Sequence, residues 1–182
     1  MHLRRLPAAL LALVLASCAA PPPPARAPTP EEVRDRAERQ VLALVNSYRQ
    51  GLALNHLRRD DHLTRVAREH SEAAARGERA FSHDGLDQRA RHVGERVPFL
   101  EVGENLYSRQ PASPLSAWYA VTGWLESPAH LELIEGCFDL AGVGMADDGQ
   151  GRVYYTLLFV LRARRSTLDG RVAAAPRGRS CR

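Results

Sequence analysis

The sequence has no lysine: all 25 of its basic residues are arginine. That uniformity fits the coding bias of a GC-rich genome. With no nucleic-acid-binding motif beside it, it does not read as phosphate recognition. Long hydrophobic runs are missing too. Leu6 to Ala16 is apolar for about three helical turns, whereas a bilayer span needs about 20 residues, so a membrane-spanning helix is excluded on length. There is no G-x-S-x-G turn, so Ser82 beside His83 is no sign of a serine hydrolase, and neighbouring side chains seldom face one another. Internal repeats are absent. Only three cysteines occur in 182 residues, too few for a disulfide-dense scaffold.

What is present begins with an export signal. Arg4 and Arg5 precede the short apolar run, which ends in Leu15-Ala16-Ser17-Cys18. This is the layout of a signal peptide over residues 1–17. Its end resembles a bacterial lipobox, which implies that Cys18 carries lipid after cleavage; the alternative is an ordinary signal peptide cut nearby. Residues 18–29, with Pro21 to Pro24, read as a stiff tether. Cys137 and Cys181 then remain as an even pair in a compartment that permits disulfides.

The net charge of +4 hides a division. The tail over 162–182 holds seven arginines against the single acid Asp169, while residues 18–161 hold sixteen arginines against twenty acids. The body is acidic and the tail basic. Short of large apolar residues, the tail is expected to be disordered. Anionic lipid or an envelope polymer is one partner it would suit, and no partner at all is the other reading.

Between tether and tail, periodicity predicts one α+β domain over residues 30–161. Thr29-Pro30-Glu31-Glu32 is a capping box, and Val41, Leu44, Val45 and Tyr48 give one face of an amphipathic helix closed by Gly51. A second helix runs from Asp60 or Asp61 to Arg76, with Leu63, Val66, Ala67, His70, Ala73 and Ala74 inward and Gly77 ending it. A short helix is expected near Leu86 to His92 and an extended piece over Val102 to Leu106. A further helix runs from Pro114 to Glu126, capped by Ser113, with Trp118, Val121, Trp124 and Leu125 inward. Another follows Ser127-Pro128. Two strands, Ala141 to Ala146 and Val153 to Leu161, flank the turn Asp147-Asp148-Gly149-Gln150-Gly151. The second is apolar almost throughout, so both its faces should be covered by helices.

Six segments in this order resemble the CAP superfamily of cysteine-rich secretory, antigen 5 and pathogenesis-related proteins, closest to its bacterial branch. They are Val45-Asn46-Ser47-Tyr48-Arg49; Leu57 to Leu63 with Ala67; Phe81-Ser82-His83; Gly103-Glu104-Asn105-Leu106; Trp124-Leu125-Glu126-Ser127-Pro128-Ala129-His130; and Gly142-Val143-Gly144. The resemblance implies a three-layer α-β-α sandwich with a small antiparallel sheet. It also implies a cleft lined by His83, Glu104 and His130, with Asn105 orienting a neighbour and Glu126 as a weak further candidate. Two imidazoles and a carboxylate are a reasonable ligand set for zinc or another divalent metal. His56, His62, His70 and His92 match no role there.

These readings favour an exported binding module, lipid-anchored at the cell or outer membrane, whose ligand is a lipid, glycan or envelope polymer and not nucleic acid. The alternatives are a metal-dependent hydrolase of the cell envelope and a structural envelope protein without a ligand.

Overall fold

The computed structural model describes residues 26–163. The signal peptide, Cys18, the proline run and all but the first two residues of the tail fall outside that range, as does Cys181, the expected partner of Cys137. Cys137 itself is disulfide-bonded.

The described residues form five helices and four strands. They are α1 (Pro30–Gly51), β1 (Arg58–Arg59), α2 (Asp61–Ala75), α3 (Leu86–Gly94), β2 (Phe99–Arg109), α4 (Ser116–Leu125), α5 (Pro128–Glu135), β3 (Leu140–Asp147) and β4 (Val153–Arg162). The strands make one sheet in the order β1-β3-β4-β2. The long ladders β3–β4 and β2–β4 are antiparallel, and the short β1 adds a parallel edge to β3. No helix among the described residues is long and apolar enough to cross a membrane.

Helices α1 and α2 start where the sequence supplies caps. Thr29 Oγ1 accepts from Glu32 N at 3.2 Å while Glu32 Oε2 accepts from Thr29 N at 2.7 Å, closing the capping box. Asp60 Oδ1 accepts from His62 N and Leu63 N at the head of α2. At its end Gly77 takes φ +70° and its N–H and that of Glu78 turn back to Ala74 and Ala73.

β4 is central and buried at all but Tyr154 and Arg162, and its side chains alternate between two cores. Leu157 and Phe159 join Val41, Val45, Trp124 and Ile134 under α1, α4 and α5. Leu158 and Val160 join Leu63, Val66, Ala67 and Val93 under α2 and α3. A sheet held between helical layers is the α-β-α sandwich expected from the sequence. The glycines of Gly142-Val143-Gly144 let α2 lie directly on β3: a Cβ on Gly144 would stand 2.5 Å from the Ala67 carbonyl oxygen and closer still to Arg68 N. Val143, between them, faces the other core.

Four local expectations change. Gly51 stays helical, and the left-handed residue is Ala53 at φ 56°. Arg49 causes this, since its backbone carbonyl accepts from Leu52 and Leu54 while its Nε holds the Asn55 carbonyl, which drags the turn two residues on. Helix α4 starts at Ser116, and Ser113 Oγ accepts from Leu115 N without capping the helix. Trp118 is 47 % exposed, because the buried stripe is Ala117, Ala120, Val121 and Trp124 and position 118 sits off it. β2 is an eleven-residue strand, since Gly103, Glu104 and Asn105 are all buried and the alternation that marks a half-exposed strand is lost.

Candidate functional site

β2 is an edge strand, and its residues 104 and 105 point to opposite layers. Glu104 faces α2 and α3. Its carboxylate is fully buried, and the side chains around it explain how a charge survives there. Arg89, on the first turns of α3, grips it with two bonds, Nε to Oε2 at 2.6 Å and Nη2 to Oε1 at 2.7 Å. This bidentate fork is the strongest geometry available to a carboxylate. Arg89 Nη1 also donates to the Asp84 carbonyl at 3.0 Å, tying the loop that carries His83 to the same centre. His83 Nδ1 lies 2.9 Å from Glu104 Oε1 with its side chain 54 % exposed. A carboxylate accepts only, so Nδ1 carries the proton toward Glu104 and Nε2 is left on the other side of the ring.

His70 completes the buried side. Its ring stacks on Phe81 at 5.3 Å, and Nδ1 is 3.1 Å from Thr156 Oγ1 and 4.0 Å from Glu104 Oε2. Ser71 Oγ donates to the Gly144 carbonyl, so toward Thr156 it accepts; Thr156 then accepts from His70 Nδ1–H, and Nε2 is left bare. Burial, and next the charge of Arg89, hold this histidine down to about 4 against the pull of Glu104. It is neutral at physiological pH. His70 and Arg89 also border a recess of about 180 Å³ between α2 and α3, with Glu69, Arg79 and His92.

Asn105 faces the other layer. Its Nδ2 donates to the His130 carbonyl at 3.1 Å, fixing the first turn of α5 against the sheet. The His130 ring is partly buried, its Nδ1 has no protein partner, and burial followed by the neighbouring charge of His83 pushes its pKa down. The three expected cleft residues therefore come to one edge of the sheet by different routes. His83 and Glu104 are in direct contact, while His130 is carried on α5 and tied to β2 through Asn105. Glu126, at the end of α4, is exposed and hydrogen-bonds none of them. His56 is exposed, and His62 Nε2 bonds the His92 carbonyl, so both lie apart.

These residues do not fit zinc or another divalent metal as they stand. Both oxygens of Glu104 are engaged by a fixed guanidinium, whose positive charge opposes a second cation. Among the described residues no group of three His, Cys, Asp or Glu side chains is placed to hold a metal ion. The sequence reading missed Arg89 and His70. Arg89 is one arginine of 25 in a stretch with no clear period; His70 lay on a face already assigned to the core. The available signal was position for Arg89 alone, six residues after His83.

The chain matches the model of the cysteine-rich secretory protein family, CAP, over residues 42–160. It is similar to the solved structure of an extracellular SCP-domain protein from Bacillus anthracis, at 26% identity and a TM-score of 0.61. That match covers 76% of this chain and 45% of the other, so the chain spans less than half of that protein. It is similar to an outer surface protein from Borrelia burgdorferi at 28% identity and TM-score 0.57, over 68% of this chain and 91% of the other. The CAP domain of enterococcal PrgA shares the fold at 16% identity and TM-score 0.55, over 81% and 70% of the two chains. No curated protein matches. With the family model spanning most of the described domain and the sandwich in place, the chain belongs to the cysteine-rich secretory protein (CAP) family.

Proposed function

We propose that the chain is an exported CAP domain, held at a membrane by lipid on Cys18, that works as a binding module for a lipid, glycan or envelope polymer. The observation that carries the binding reading is the His83–Glu104–Arg89 unit. A half-exposed imidazole is fixed through Nδ1 by a buried carboxylate, which is itself clamped by a guanidinium. Such a group presents one hydrogen-bonding nitrogen in a set direction at little entropic cost, which suits recognition. Hydrolysis finds less support: among the described residues no hydroxyl or thiol hydrogen-bonds His83 or His130. The hydroxyl that meets His70, Thr156, is fully buried. Export is supported by the signal-like start and by similarity to proteins described as extracellular or outer-surface. The reach of the chain from Cys18 to Pro30 is at most about 40 Å at full extension, so an anchored domain would work against the membrane surface.

Anchoring is tested by membrane fractionation with Cys18→Ser, which should move the protein to the soluble fraction; a substituted chain that stays in the membrane defeats the anchor. Binding is tested by mass spectrometry of lipid and glycan carried through purification of the native chain. His83→Ala should lose the ligand while keeping its melting temperature. A native chain that carries none, or a variant that keeps it, defeats the binding reading.

A further inference from the structure

Among the described residues four large apolar side chains are exposed: Val33 at 46 %, Leu52 at 45 %, Leu115 at 54 % and Trp118 at 47 %. Such residues scattered singly are ordinary on a protein surface. Three of these four gather in one place. Val33 lines a groove of about 500 Å³ between α1 and the first turn of α4, which Pro114 and Ser116 also line. Leu115 stands between those two at the rim, and Trp118 follows three residues on, on the same side of the helix. Leu52 is apart, about 28 Å along α1 from Val33 at about 1.5 Å per residue.

The described residues begin at this same end. Arg26 bonds Glu32 at 2.7 Å, and both share a second groove with Arg36, which also lines the first. Cys18 is eight residues before Arg26, a reach of at most about 28 Å. Charge here is balanced: Arg26 is paired with Glu32 and Arg39 with Asp35, and Arg36 and Asp147 both line the first groove. Tryptophan and leucine are side chains that settle at the headgroup boundary of a bilayer. Resting on the reading of the chain as membrane-anchored, we infer that Val33, Leu115 and Trp118 form the face that seats the domain on the bilayer. Lipid at Cys18 brings the domain to the surface, and this patch sets which way it lies there. The seat is apolar, so a bilayer of neutral phosphatidylcholine suffices and added salt does not release it.

The chain has two tryptophans, and Trp124 is only 1 % exposed, so changes in emission report on Trp118. The test holds the full chain from residue 18, as Cys18→Ser with a histidine tag ahead of it, on phosphatidylcholine vesicles containing a nickel-chelating lipid. This puts the domain at the membrane whether or not the native chain is lipidated, so the anchor stays judged by fractionation alone. Trp118 emission should shift to shorter wavelength and lose most of its quenching by acrylamide, at low and at high salt. Trp118→Phe should show neither change. Val33→Asp combined with Leu115→Asp should leave Trp118 open to acrylamide on the vesicle; both positions are exposed and near helix N-termini, where aspartate is favoured. Emission and quenching that stay as in solution would overturn the inference. So would a Trp118 shielded before vesicles are added, where a second copy covers it, or shielding that persists in the double aspartate variant.

Discussion

Glu104 and Asn105 are adjacent in β2 and serve opposite layers: the first binds Arg89 and His83 on the α2–α3 side, the second holds the His130 carbonyl on the α5 side. One dipeptide at a sheet edge thus positions both histidines of the cleft. The Asn105 bond is local and its loss is predictable. Asn105→Ala should cost about 1–2 kcal/mol by urea denaturation and loosen α5, seen as faster amide exchange at its first turn. Unchanged exchange there would show that Asn105 does not set the position of His130.

Gly144 and Gly51 give opposite outcomes for the same substitution. Gly144→Ala drives a methyl into the backbone of α2 at Ala67 and Arg68, and the helix must lift from the sheet. A loss above about 3 kcal/mol is expected, at the upper end of overpacking costs. Gly51→Ala meets nothing within 4 Å and lies on helical backbone, so it should stabilise by up to about 1 kcal/mol. Melting temperatures of the two variants should fall on either side of the native value.

His70 sets a pH dependence. Its folded pKa, about 4, lies below its ordinary value of 6.5, so the unfolded chain binds the proton more readily. The groups around it are Arg89, His83 and Arg79, which push the same way, and Glu104, which opposes them. Stability from this residue is complete above pH 6.5 and is lost as pH falls from there towards 4. At about 1.4 kcal/mol per unit the loss approaches about 3 kcal/mol. His70→Phe, which keeps the stack on Phe81, should flatten the denaturation free energy across that window. A slope identical to the native one would assign the acid sensitivity to other groups.

Arg49 should tolerate no other cation. It is fully buried, with Nη1 on the Ile134 and Gly136 carbonyls at 2.6 and 2.8 Å, Nε on the Asn55 carbonyl and Nη2 on the Asn55 side chain. This fork closes the end of α5 onto the turn after α1. Arg49→Lys keeps the charge but has one nitrogen for four acceptors, and should lose about 2 kcal/mol or more. A lysine variant of native stability would show that charge alone matters here.

The helices α1 and α2, the β3–β4 hairpin and the sandwich itself were legible in the sequence. The reason is that caps such as Thr29–Glu32 and Asp60, the 3.6-residue stripe of Val41 and Val45, and the turn at Gly149 are local and carry their physics in neighbouring residues. His83, Glu104 and His130 were recognisable as a group only through the order of the family's segments, because 47 positions separate the first from the last. What tertiary structure alone decided is the charge balance of the cleft. Glu104 could ligate a metal or be neutralised by the protein, and sequence does not distinguish these, since the deciding atom is a guanidinium delivered by α3 from a stretch without period. The same holds for His70, whose bare Nε2 follows from a hydrogen-bond chain through Ser71 and Thr156 that forms only when α2 is pressed onto the sheet at Gly144.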